Sequence, residues 1–176
     1  VCIGWKVLFA LIPTIKNSKR LLQYEGVLEI FRQDLTGKAP DLTIVTYTGI
    51  KEAKNKVTTV LKTADLDSKF TLLVFYKSGC GPCEVTMEGL IGNYTEIAAK
   101  GFKIITIASD TDEQIFKDTS LTHPWADTYC DFEGAKGINF KNYAVIGTPT
   151  MYVLDSKGMI LSRLATLSEV LDFVRK

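Results

Sequence analysis

Phe70-Thr71-Leu72-Leu73-Val74-Phe75-Tyr76-Lys77-Ser78-Gly79-Cys80-Gly81-Pro82-Cys83 is the stretch on which the fold turns. Its first seven residues are almost continuously apolar and β-prone, the pattern of a central strand covered on both faces. Ser78 to Cys83 then punctuates the run. Pro82 suits the first turn of a helix, where its missing N–H is no loss. A helix is expected from Pro82 to about Lys100, stopped by Gly101. Phe102-Lys103-Ile104-Ile105-Thr106-Ile107-Ala108 reads as the next buried strand. Strand, helix and strand at this spacing form a βαβ unit with a right-handed crossover.

Working outward, Gly37-Lys38-Ala39-Pro40 reads as a turn and Leu42 to Tyr47 alternates like a strand. A polar helical stretch from about Glu52 to Leu61 follows. Downstream, a short helix is expected over Asp112–Thr119, then irregular chain to about Val145. Thr150 to Leu154 and Met159 to Leu164 flank Asp155-Ser156-Lys157-Gly158, a hairpin with glycine in the turn. Ser168 is placed as the cap of a last helix, with Leu171 and Val174 on one face. Together these give an α/β class: a mixed central sheet with helices on both faces. Residues 1–36 differ. Trp5, Leu8, Phe9 and Ile12, then Leu21, Leu22, Leu28, Ile30 and Phe31, recur at helical spacing, broken by Pro13 and Gly26. They read as an N-terminal helical extension to a domain over 37–176.

Composition narrows the function. The 176 residues are 46% hydrophobic and 23% charged, so disorder and coiled-coil readings are excluded. Lys+Arg 21 against Asp+Glu 20 leaves a net charge of +1 without a basic block, which argues against nucleic acid or a polybasic membrane contact. The apolar run Val1 to Ile15 is interrupted by Lys6 and Pro13 and reads neither as a membrane span nor as a signal peptide. The absence of Met at position 1 fits a mature or trimmed form. Four cysteines are too few for a disulfide scaffold and are read for chemistry.

Cys80 and Cys83 stand three apart where a strand hands over to a helix, within the separation a disulfide tolerates. Cys80 falls near the N-cap, facing the positive end of the helix dipole, its sulfur placed to accept the Cys83 N–H. Both effects favour thiolate, so Cys80 is the expected nucleophile and Cys83, one turn in and more buried, the resolving thiol. A zinc site needs about four ligands, and here there is no second cysteine pair and His123 is alone. A fixed structural disulfide is the other bland reading. The strand–turn–helix context favours redox.

Gly147-Thr148-Pro149-Thr150 leads into the C-terminal hairpin, where a proline is often only a strand-start residue. Together, Phe75 to Cys83 and this second stretch resemble the thioredoxin superfamily. Gly37-Lys38-Ala39-Pro40-Asp41-Leu42 and Val153-Leu154-Asp155-Ser156-Lys157-Gly158 resemble, more narrowly, the TlpA/ResA-type thiol-disulfide oxidoreductases. The resemblance covers about residues 37–176. It implies a thioredoxin-like fold with an extra strand and helix between Cys80 and Pro149. It implies that Pro149 is cis and faces the cysteine pair, and that Thr148, Pro149, Gly81 and Pro82 line the site for an extended substrate peptide. It also implies an envelope-facing, periplasmic setting, with an anchor upstream of residue 1. The family's buried acid is missing: the two positions that carry it in relatives are Val74 and Thr86 here, and Gly79 replaces the usual aromatic before the first cysteine.

The expected activity is disulfide exchange with protein substrates, reductive rather than oxidative, with no metal or organic cofactor and with a partner that recycles the pair. Two alternatives come from other classes. One is a non-catalytic thioredoxin-like binding module with a static disulfide. The other is a copper-handling relative using His123. A peroxidase reading lacks the Pro-x-x-x-Thr-x-x-Cys setting. Among lesser candidates, Lys77 reads as a solvated loop residue and Cys130 as a small buried hydrophobe rather than a third redox thiol. His123-Pro124-Trp125 reads as a surface turn or the rim of the site, and Tyr76 and Trp125 as aromatics that could touch substrate. Cys2 has no assigned place.

Overall fold

The computed structural model describes residues 37–48 and 55–176, so the helices expected over 1–36, and Cys2 with them, lie outside the described residues. The strands are β1 (Gly37–Lys38), β2 (Leu42–Thr48), β3 (Asn55–Leu61), β4 (Phe70–Tyr76), β5 (Phe102–Ala108), β6 (Thr128–Cys130), β7 (Thr150–Asp155) and β8 (Met159–Leu164). The helices are α1 (Gly81–Gly92), α2 (Tyr94–Ala99), α3 (Glu113–Ser120), α4 (Ile138–Asn142) and α5 (Leu167–Val174). Among the described residues the main sheet runs β1-β8-β7-β4-β5-β6, and β2 and β3 form a separate hairpin. β4, β5 and β6 are parallel, while β7 is antiparallel to β4 and β8 to β7. This is the expected mixed sheet and thioredoxin-like fold, with α3 and β6 as the extra helix and strand.

The central strand is buried on both faces because its alternate side chains enter two different cores. Leu72, Val74 and Tyr76 join Cys83, Met87, Leu90 and Ile97 on the side of α1 and α2. Leu73 and Phe75 join Leu42, Ile44, Phe140 and Tyr143 on the side of α4 and the hairpin. β7 divides the same way, Met151 and Val153 against Tyr152 and Leu154. An apolar run without polar alternation is what two-sided burial requires.

Four local expectations change. The helical reading of 52–61 fails over its described part: Asn55–Leu61 is a strand paired with β2. Val57, Thr58, Thr59 and Val60 are β-branched, which restricts their rotamers in a helix and favours the pleated form. Gly37–Lys38 is a two-residue strand against β8 rather than only a turn. The single helix over 82–100 is two helices, broken where the Asn93 amide donates to the Gly89 carbonyl at 2.7 Å and so competes with the helical ladder. The last helix is capped by Thr166, not Ser168: Thr166 and Glu169 close a capping box, and Val170 and Val174 are its buried residues.

Candidate active site

Antiparallel pairing of β4 with β7 places Phe75 opposite Thr150, so the chain leaving β4 and the chain entering β7 meet at one end of the sheet. That end carries Cys80 on one side and the Thr148–Pro149 peptide bond, which is cis, on the other. Cys80 Sγ lies 4.0 Å from the Thr148 carbonyl oxygen. The structure therefore brings together Cys80, Cys83, Gly81, Pro82, Thr148 and Pro149.

The cysteine turn is held from below. Asp110, just past β5 and buried, accepts the Ser78 N–H at 2.9 Å and the Ser78 hydroxyl at 2.6 Å. Ser109 N–H donates to the Tyr76 carbonyl at 2.9 Å. Gly79 sits at φ +71, a left-handed conformation that side chains resist and glycine adopts freely. Sequence reading missed Asp110. Its signal was the parallel register, which sets Tyr76 beside Ala108 and so brings the residues after each strand together.

Cys80 is the N-cap of α1 with extended backbone, but its sulfur closes no cap hydrogen bond, contrary to expectation. Its pKa is lowered chiefly by the Cys83 thiol, which donates to Cys80 Sγ at 3.0 Å, and next by the Cys83 amide, close enough to act without completing the bond. Glu84 opposes this weakly, and Lys77 is exposed and not among the groups that shift Cys80. Cys83 is fully buried, and burial first, then its bond to Cys80, raises its pKa. The two thiols are unlinked here, one half-exposed and primed, the other buried.

Among the described residues, the two positions expected to lack the acid carry none, and the one buried carboxylate at the turn, Asp110, is bound to Ser78. Val74 is buried, Thr86 Oγ1 donates to the Pro82 carbonyl at 3.0 Å, and Glu84 and Glu88 are exposed. Cys130 is buried, donates to the Asp110 carbonyl at 3.3 Å, and is pushed up to about 12 by burial. Tyr76 and Trp125, read as substrate contacts, are instead interior, at 1% and 6% exposure. The 123–125 segment is a bend at the surface, with Pro124 exposed and His123 half-buried, but its Trp125 side chain turns into the core. The Trp125 indole N–H donates to Thr106 Oγ1 at 3.3 Å, and its ring stacks on His123 with centroids 4.9 Å apart. Burial holds His123 down at about 4, and its Nδ1 faces Thr128 Oγ1 at 3.4 Å. Among the described residues no group of three His, Cys, Asp or Glu side chains could hold a metal ion. Nor is any helix among them long and apolar enough to cross a membrane.

Residues 35–163 match the AhpC/TSA family. The chain belongs to that family. Within it, this AhpC/TSA member is similar to the thiol-disulfide oxidoreductase ResA of Bacillus thuringiensis, 26% identical over 72% of this chain and 76% of ResA. It is also similar to mouse nucleoredoxin, 30% identical over 58% of this chain but only 24% of that protein, so it spans about a quarter of the nucleoredoxins it matches. The thioredoxin domain of a Bacteroides vulgatus thiol-disulfide oxidoreductase superposes with a TM-score of 0.59 at 22% identity, over 79% of this chain and 97% of that one, which shows the fold. The chain thus has a thioredoxin-like fold and is similar to proteins named thiol-disulfide oxidoreductases.

Proposed function

We propose that this AhpC/TSA-family chain is a disulfide reductase for protein substrates, with Cys80 as nucleophile and Cys83 as resolving thiol. The observation that carries this reading is the asymmetry of the pair: a half-exposed Cys80 with a lowered pKa, and a buried Cys83 with a raised one 3.0 Å behind it. Cys80 thiolate attacks a substrate disulfide, forming one S–S bond and expelling one substrate thiolate. Cys83 then attacks Cys80 Sγ, closing the Cys80–Cys83 disulfide and releasing the second substrate thiol. The Thr148 and Pro149 backbone beside Cys80 supports docking of an extended peptide there, flanked by Gly81 and Pro82. A separate reductant must restore the dithiol. The likeness to ResA supports an envelope-facing location.

The reduction potential of the Cys80–Cys83 pair tests the direction. A value near about −270 mV supports a reductase, and one near about −120 mV an oxidant. If the reduced chain transfers no electrons to any protein disulfide and Cys80→Ser leaves partner binding unchanged, the binding-module alternative replaces this reading.

A further inference from the structure

Two glycines beside the reactive sulfur have no reason inside the protein to be glycine. Gly81 follows Cys80 in the chain, and Gly147 precedes Thr148, whose carbonyl oxygen stands 4.0 Å from Cys80 Sγ. The Cα of each is one step, about 3.8 Å, from that of a residue at the sulfur. Most other described glycines answer to the fold. Gly79 and Gly101 are left-handed at φ +71 and +85, and a Cβ at Gly158 would stand 2.8 Å from the Thr63 backbone. Gly81 and Gly147 are not left-handed, and a Cβ built on either meets no atom within 4 Å. Gly92 shares that openness, but it ends α1, a place where glycine is ordinary.

Flexibility does not explain the pair either. Gly81 lies in the first turn of α1, where the Glu84 N–H donates to the Cys80 carbonyl at 2.9 Å, and alanine there would favour the helix. The Gly147 carbonyl accepts the hydroxyl of buried Thr150 at 2.7 Å, which fixes the loop. What a side chain at either position would fill is the space outside, beside Cys80. Glycine is the residue that lets another backbone come close. The surface around the two is otherwise apolar or balanced in charge. Pro82 and Ile146 are exposed, Ile146 at 61%, and exposed Lys77 and Glu84 carry one charge of each sign. A single exposed isoleucine is ordinary in itself, but this one adjoins Gly147 in the chain.

We propose that Gly81 and Gly147 determine specificity by leaving room for substrate backbone: an extended protein segment carrying the target disulfide lies against both and sets an apolar side chain on Ile146. This rests on the reductase reading above and deepens it by naming the substrate class, a disulfide in an extended, apolar stretch of protein rather than a small disulfide compound. Ile146 is two steps from Thr148, so the side chain it meets stands about two residues from the substrate cysteine. The exchange itself is unaltered: Cys80 attacks and Cys83 resolves. Gly81, Gly147 and Ile146 act by placing the substrate sulfur.

The test compares the rates at which the reduced full chain is oxidised by two probes. One is hydroxyethyl disulfide, the other the disulfide-linked dimer of a short linear peptide with leucine near its cysteine. The quantity read is the peptide-to-small ratio of second-order rate constants. Gly147→Leu should lower that ratio at least about tenfold, because a displaced backbone misplaces the attacked sulfur. Its urea midpoint should match that of the unsubstituted chain, since a side chain there points into open space. Should leucine upset folding, Gly147→Ala is the milder variant, with an expected fall of about threefold. Gly81→Ala should lower the ratio about as much, and the ratio cancels any change in the Cys80 thiol that both probes feel. Ile146→Lys should cut the preference for the leucine peptide over a lysine-bearing one about tenfold. An unmoved ratio at position 147 overturns the proposal, as does a fall in rate equal for both probes. So does an undiminished leucine preference in Ile146→Lys. If the unsubstituted chain is oxidised by neither probe, the reductase reading fails instead. Affinity for the reduced peptide, with and without Gly147→Leu, then still decides whether the segment lies at position 147.

Discussion

The cysteine turn and the neighbourhood of Cys130 lie at the same end of the sheet and share Asp110, yet they treat the same side chain in opposite ways. At the turn, Cys80 caps a helix, is half-exposed and has a second thiol donating to it, and its pKa falls. Cys130, at the end of β6, is buried and gives its proton to the Asp110 carbonyl, the same residue whose carboxylate braces the turn, and it rises to about 12. The teaching is that thiol chemistry here is assigned by exposure and by which way the neighbouring dipoles and protons face, not by the presence of a cysteine.

The sharpest way to break this contrast is to swap roles by mutation. Cys80→Ser is expected to reduce disulfide-exchange turnover by at least about a thousandfold, whereas Cys130→Ala should leave turnover within about twofold because Cys130 touches no reacting atom. Comparable losses in an insulin-type reduction assay would erase the distinction. Next in size is alkylation of the native chain, followed by mass spectrometry. At neutral pH, Cys130 should react at least about a hundredfold more slowly than Cys80, since only thiolate attacks. Equal labelling of the two would show that burial does not protect Cys130.

Asp110 joins the two regions, and its removal sharpens the comparison. Asp110→Ala leaves the Ser78 N–H and hydroxyl without their acceptor and should cost about 2–3 kcal/mol in urea unfolding, with slower attack by Cys80 because the turn is no longer braced. The smallest effect concerns the aromatic layer between them. His123 sits at about 4 in the fold against 6.5 ordinarily, so the fold favours its neutral form. The stability it contributes is complete above pH 6.5 and is lost as pH falls through 4. Unfolding curves for His123→Phe should lack that part of the acid decline, and an identical pH dependence would place the loss elsewhere.

Much of this was legible in the residues themselves, and for stated reasons. Two-sided burial writes itself as an unbroken apolar run, so β4 and β5 could be placed, and glycine and proline at Gly101, Gly158 and Pro82 marked ends and turns. Asn55–Leu61 misled because polar residues at mixed spacing carry no period, and its partner strand decided it. Asn93 broke a helix through one side-chain bond that propensity alone does not reveal. Tyr76 and Trp125 read as aromatics that could touch substrate because their hydroxyl and indole allow either setting, and only packing chose the interior.

The sequence by itself determined the chemistry that local geometry controls: a cysteine pair spaced for a disulfide across a helix start, with the first cysteine at the N-cap. That follows because a helical turn and its cap are set by neighbours a few residues away. Only the tertiary structure decided what faces the pair from afar. Parallel and antiparallel register brought Asp110 under Ser78 and the cis Thr148–Pro149 bond beside Cys80. It also put Tyr76 and Cys83 in one buried cluster, because burial and long-range contact are properties of the packed sheet and not of any stretch of chain.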